Sequence, residues 1–258
     1  MIIILKPIFM LEVHSLAVNY HGVKGLQDVS FAVRPGQMVG VVGPNGAGKS
    51  TMLKAMLGLI PKTSGVVRYC TCPLHRQLEK VAYVPQRSQI DWDYPITVWN
   101  VVLMGRTRQL GWLRSPSRNA REVAAQALAR VGMSDLRHRR IGDLSGGQQQ
   151  RVFLARALAQ DAEVFLLDEP FTGVDATTES VLFDIFRELR SQGKILLISS
   201  HEWGQSLNQL DRLLLLNQCL IADGSPTQVM TPQNLERAYG TSLHSMTTTA
   251  AIEDFFFC

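Results

Sequence analysis

The 258 residues carry 26 lysines and arginines against 22 aspartates and glutamates, a net charge of +4, and 46% of them are hydrophobic. This is ordinary globular composition, and at this length it suits one large α/β domain or a core with an inserted subdomain. Four cysteines, Cys70, Cys72, Cys219 and Cys258, are too few for a disulfide scaffold, and no apolar run approaches the roughly 18 residues that span a bilayer.

Along the chain, residues 1–10 form an expected extension, with Ile2, Ile3, Ile4 and Leu5 ahead of Lys6-Pro7. No basic stretch precedes them and no small-residue cleavage site follows, which argues against a signal peptide. Leu11–Tyr20 alternates at Leu11 and Val13, then at Leu16 and Val18, and Val29, Phe31 and Val33 alternate likewise, so two half-buried strands are expected. Met38–Gly43 is a short apolar run closed by a glycine-rich loop, after which a helix begins near Lys49 with Met52, Leu53, Met56, Leu57 and Leu59 on its apolar side. Cys70 and Cys72 read as strand or turn residues, since no Cys/His cluster accompanies them. Cysteine usage points to a reducing, cytosolic compartment.

Val81–Val84 reads as a strand. Ser117 caps a helix whose apolar positions are Ala120, Val123, Ala124, Ala127, Leu128 and Val131, with Gly132 at its end. A second helix follows Gly147. Glu163–Asp168 and Lys194–Ser200 read as buried strands flanking a helix with Val181, Leu182, Ile185, Phe186 and Leu189. Arg212–Asn217 and Cys219–Asp223 look like a final pair of strands, and the tail from Thr231 is weakly patterned. Apolar runs without alternation, separated by helices, predict a parallel sheet covered on both faces.

Three motifs carry chemistry. Gly43-Pro44-Asn45-Gly46-Ala47-Gly48-Lys49-Ser50 matches the phosphate-binding pattern G-x-x-x-x-G-K-[ST] in a strand–loop–helix setting. Glycines let backbone amides converge on phosphate oxygens, Lys49 reaches the β- and γ-phosphates, and Ser50 supplies a hydroxyl to Mg²⁺. Val164–Asp168 delivers Asp168 and Glu169 to a strand end, where Asp168 suits a Mg²⁺ ligand and Glu169 a general base. On its own such an acidic pair is more often a helix cap or a solvated loop, and pairing with the phosphate-type loop reverses that reading. Leu144-Ser145-Gly146-Gly147-Gln148 stands directly before a helix.

With this pentapeptide the chain, from Leu11 to Asp223, resembles the ATP-binding cassettes of ABC transporters. The resemblance implies a P-loop (RecA-like) α/β ATPase core with an antiparallel β subdomain, and a nucleotide-binding domain over residues 11–230 with a helical insert at about 87–160. Residues 231–258 would form a tail. It implies that ATP is held by Gly43–Ser50 and Thr51, with Tyr20 stacking on adenine or else packing as a strand aromatic. Ser145, Gly146, Gly147, Gln148 and Asp175 would contribute from a second copy in a head-to-tail ATP sandwich. Mg²⁺ would be held by Ser50, Asp168 and Gln86, and catalysis would use Glu169, Gln86 and His201.

Gln86-Arg87 is followed by Asp91-Trp92-Asp93-Tyr94-Pro95-Ile96-Thr97-Val98, then by Val101–Arg106 and Gly111-Trp112-Leu113. This narrows the resemblance to importers of manganese, zinc or iron, most of all manganese. Three departures stand out: Glu202-Trp203 after His201, residues 1–10, and the end Phe255-Phe256-Phe257-Cys258. The implied partners are transmembrane permease subunits, a second copy of the chain and, indirectly, an extracytoplasmic metal-binding protein, with no nucleic acid. The chain would sit peripherally on the cytoplasmic face of the membrane. Trp92, Tyr94 and Trp99 are expected to form a partner-binding surface, the alternative being that Trp92 and Tyr94 pack under the insert as core. A soluble ABC ATPase of DNA repair or translation and a P-loop kinase are the rivals. The first would need a long coiled coil or a second cassette, and the second lacks the pentapeptide.

Overall fold

A computed structural model of the protein describes residues 10–20, 23–110, 115–201 and 205–240. In chain order the elements are β1 (Leu11–Tyr20), β2 (Val23–Val33), β3 (Met38–Val42), α1 (Lys49–Leu57), β4 (Ser64–Tyr69) and β5 (Cys72–Pro73). Then come β6 (Val81–Val84), α2 (Val98–Leu103), α3 (Thr107–Leu110), α4 (Arg118–Arg130), α5 (Gly146–Ala159) and β7 (Val164–Asp168). They are followed by α6 (Ala176–Ser191), β8 (Ile195–Ser200), β9 (Arg212–Asn217), β10 (Cys219–Gly224), α7 (Pro226–Val229) and α8 (Pro232–Tyr239). The chain forms two compact units, one from the described residues up to Gln77 and from Leu197 on, the other from Leu78–Leu196. Among the described residues no helix is long and apolar enough to cross a membrane.

In the first unit, β2, β1, β4 and β5 form an antiparallel sheet in that order. The jump in the apolar alternation from Val13 to Leu16 has a structural cause. The register of β1 against β2 shifts there, and Ser15 takes a left-handed backbone with φ 46°. Asp28, with φ 47°, makes the matching step between Leu26 and Val29. Such bulges return each strand's apolar side chains to the buried face, and Leu11, Val13, Leu16, Val18, Leu26 and Val29 are all fully buried. Cys70, with φ 56°, turns the hairpin that pairs Tyr69 with Cys72, so both cysteines are turn and strand residues.

β3 is buried along its whole length and runs parallel to β9, with Val39 opposite Arg212 and Val42 opposite Leu215. β9 and β10 form an antiparallel hairpin. Arg212 secures it by a fork of bonds to both carboxylate oxygens of Asp223, at 2.5 and 2.6 Å, and its Nη1 donates to the Ala32 carbonyl at 2.7 Å. Within the tail, the described residues 231–240 hold a helix that their weak pattern did not announce. Thr231 caps α8 and Pro232 starts it, two helix-start signals that the sequence does carry. Asn217 Nδ2 fastens its end by donating to Ala238 O at 2.9 Å.

In the second unit β6 and β7 are parallel, Val81 opposite Val164 and Val84 opposite Leu167. α2, α4 and α5 pack on one another around Val98, Val102, Ala124, Leu128 and Val152. Gly105 lets this bundle close, because a Cβ there would fall 2.4 Å from the Arg156 carbonyl. On α6, Phe183 and Phe186 pack with Phe171, whose ring stacks on Phe183 at 4.7 Å between centroids. Parallel and antiparallel pairings with interspersed helices make the chain a mixed α/β protein, as the motif setting predicts. Because Phe186 is fully buried, Phe186→Ala should cost about 3–5 kcal/mol, read as a lowered urea midpoint.

Candidate functional site

The phosphate-type loop joins β3 to α1 in the first unit. Its glycines answer to space as well as to torsion. Gly43 has φ 152°, and a Cβ on it would stand 2.0 Å from the Leu216 carbonyl oxygen. Gly48 is the N-cap of α1 with φ 96°, wedged between Leu26 and the Gly25 carbonyl. No side chain caps α1 and no acidic residue lies in its first turn. Its leading N–H groups and partial positive charge therefore suit an anion. Lys49 is 5% exposed, and its Nζ donates to Gly43 O at 2.7 Å and Pro44 O at 3.0 Å. The β9–β10 turn holds the loop from behind, Gln218 N donating to Ala47 O at 2.8 Å. Ser50 and Thr51 sit half-buried in the first turn of α1, and His201 half-buried just after β8.

The second unit carries the acidic pair. Asp168 ends β7 fully buried, and the Tyr83 hydroxyl lies 3.4 Å from its Oδ2. Burial, and secondarily the negative Asp168, push the Tyr83 phenol well above its usual range, so it stays protonated as a donor. Glu169 adopts φ 51°, an uncommon and strained backbone for a residue with a Cβ. Its Oε2 accepts from Gln86 Nε2 at 2.8 Å and from Thr172 Oγ1 at 3.3 Å. The structure thus brings Glu169 and Gln86 into direct contact. It adds Tyr83 and Thr172, which no motif pointed to; position beside Gln86 and Glu169 was the only available signal.

Leu144–Gln148 opens α5 through a reciprocal cap. Ser145 Oγ accepts from Gln148 N at 3.4 Å, and Gln148 Oε1 accepts from Ser145 N at 3.0 Å. Gln148 is therefore engaged in holding the helix start. A Cβ on Gly147 would sit 3.0 Å from Thr178 Oγ1. Thr178 in turn donates through N and Oγ1 to the two carboxylate oxygens of Asp175, at 2.8 and 3.1 Å. These bonds hold the exposed Asp175 carboxyl below its ordinary range and make it the N-cap of α6. Gly147 and Asp175 thus meet through one threonine. The backbone of Tyr20 lies in β1, but its side chain falls outside the described residues, as do 1–9, Gly111–Leu113, Glu202-Trp203 and the Phe-rich end.

The aromatic segment after Gln86 divides. Trp92 is half-buried, its Nε1 donating to Arg87 O at 3.0 Å and its ring meeting Phe153 edge-on at 5.5 Å. Tyr94 is 60% exposed.

Residues 26–172 match the family model for the ABC transporter domain. The chain belongs to the ABC transporter family. It is 43% identical over 230 residues to the manganese transport system ATP-binding protein MntB of Halalkalibacterium halodurans, covering 89% of this chain and 92% of that protein. It is 45% identical over 237 residues to the zinc transport system ATP-binding protein TroB of Treponema pallidum, covering 92% and 89%. Among solved structures it superposes on the ADP conformation of the ATP-binding cassette MJ1267 with a TM-score of 0.77, at 25% identity, covering 89% of this chain and 98% of that one.

Because Trp92 is packed and Tyr94 is not, their alanine variants should part company. Trp92→Ala should lower the melting temperature of the isolated chain by several degrees, as losing a half-buried aromatic does. Tyr94→Ala should leave it within about a degree, as expected for an exposed site.

Proposed function

We propose that this chain is the ATP-hydrolysing subunit of an importer for a divalent metal ion, with manganese the first candidate and zinc the second. Two copies sandwich two ATP molecules head to tail and drive permease subunits from the cytoplasmic face of the membrane. The likeness to MntB and TroB supports the cargo. The observation that carries the ATPase reading is the Gln86–Glu169 contact beside a buried Asp168, in a chain that also builds a phosphate loop around Lys49.

In this reading Lys49 exchanges the carbonyls of Gly43 and Pro44 for β- and γ-phosphate oxygens, while the backbone of Gly43–Thr51 surrounds the phosphates. Ser50, Asp168 and Gln86 offer hydroxyl, carboxylate and amide oxygens, the hard donors that Mg²⁺ takes, so the residues fit that ion. When bound, Mg²⁺ neutralises charge building on the transferred phosphoryl group. Glu169 accepts the proton of the attacking water once Gln86 releases its carboxylate, and His201 steadies the γ-phosphate. The second copy closes the site with Ser145, Gly146 and Gly147 on the γ-phosphate side, Gln148 and Asp175 holding those helix starts. Hydrolysis reopens the sandwich. The transported metal passes from an extracytoplasmic binding protein through the permease without touching this chain.

The test is reconstitution with the permease and binding protein in vesicles. Hydrolysis should be stimulated by manganese more than by zinc or iron. Glu169→Gln should keep ATP binding and reduce turnover by about 10²–10⁴-fold, the usual worth of a general base. Unchanged turnover in that variant would remove Glu169 from its role, and stimulation by zinc alone would reassign the cargo.

A further inference from the structure

Two neighbouring residues reach two different parts of the machinery. Gln86 bonds Glu169, on the side of the chain's own nucleotide. Arg87 reaches the start of α5, the surface that the proposed sandwich presents to the nucleotide of the second copy. Its Nε donates to Gln149 Oε1 at 3.0 Å. Its guanidinium lies over Gly146, so closely that a Cβ there would be 3.2 Å from Cζ. Gln149 is 3% exposed, and its Nε2 donates to Ile141 O at 3.1 Å, so both ends of a buried amide are in use. Leaving Oε1 without its donor would cost the full desolvation of that acceptor.

Arg87 is held on its other side as well. Its carbonyl accepts the Trp92 indole N–H, its guanidinium lies 5.8 Å from the Trp92 ring centroid, and that ring packs edge-on against Phe153 of α5. Gln86 and Arg87 belong to one tight turn, with Gln89 N bonded to Gln86 O at 3.0 Å and Ile90 N to Arg87 O at 3.3 Å. A displacement of one is therefore a displacement of the other.

We infer that Arg87 is a positioning residue that ties Gln86 to the first turn of α5, so that filling the chain's own nucleotide site sets the presentation of Ser145–Gly147 to a second copy. The inference rests on the proposed ATP sandwich. When Gln86 leaves Glu169 for the nucleotide, the turn moves, and Arg87 carries Gly146 and Gln149 with it. Without the link each chain still binds ATP, but the bound state no longer shapes the surface offered to its partner.

The decisive variant is Arg87→Met, which keeps the aliphatic stem and removes the donors. Three quantities are measured on the full chain: binding of a fluorescent ATP analogue to monomer at low protein concentration, the dimer dissociation constant with ATP in a Glu169→Gln background, and the melting temperature. The link predicts nucleotide binding within about twofold of the parent and dimerisation weakened about tenfold, the scale of one charged hydrogen bond. Arg87→Lys should recover part of the loss, and adding Gln149→Leu to Arg87→Met should weaken the dimer no further. Equal dimerisation by parent and Arg87→Met overturns the link. So does a loss of nucleotide binding in step with a falling melting temperature, which would make Arg87 a fold residue only. A parental chain that binds ATP without dimerising overturns the sandwich itself, and the two failures are told apart by that control.

Discussion

A buried ammonium group is the constraint around which the phosphate loop is built. Lys49 is almost wholly out of water, and a cation so placed is tolerated only where oxygen atoms replace its hydration. Here the Gly43 and Pro44 carbonyls do so. Those carbonyls can turn inward only because Gly43 tolerates φ 152° and brings no Cβ against Leu216. The turn between β9 and β10 then fastens Ala47. A cation fixed in this way, at the start of a helix with no side-chain cap, gains more from an anionic phosphate than from a neutral carbonyl.

In the second unit the same economy of contacts governs the acid. Glu169 could relax from its left-handed backbone if nothing held it. Gln86 and Thr172 hold its carboxylate, and the turn Thr172 N to Glu169 O holds its backbone. Strain kept in place at a held carboxylate is what the proposed role of a positioned base would require. The helix starts near it are built alike: Ser145 caps α5, Asp175 caps α6, and Thr178 joins the second cap to Gly147. Side chains that the sandwich would turn toward a second copy serve first to finish the chain's own helices.

Much of this was legible in the sequence for identifiable reasons. Val164–Leu167 and Met38–Val42 announce themselves because a strand buried on both faces leaves no polar position along these stretches. The loop announces itself because only glycine meets its torsions. The phase jump after Val13 was visible as spacing, and its meaning as a bulge emerged once Ser15 showed positive φ. Other features depend on contacts between residues distant in the chain. Gln149 gives no sign of being buried, or of bonding Arg87 sixty-odd positions earlier, because glutamine is commonest on surfaces. Likewise Trp92 and Tyr94 look equivalent in a string of letters. They separate when Phe153 and the Arg87 carbonyl take the indole and leave the phenol in solvent.

If each ATP is worked on by two chains, two inactive variants should complement each other when mixed. Lys49→Ala disables the loop, and Ser145→Arg disables the surface offered to the partner. In a head-to-tail pair, one site of the mixed dimer collects both lesions and the other keeps both intact halves. Mixing the two proteins should therefore restore up to about half the parental hydrolysis per mixed dimer, as head-to-tail contacts between unlike surfaces dictate. Hydrolysis that stays at the background of the separate variants at every mixing ratio, while mixed dimers form, would mean that no site is shared between two chains.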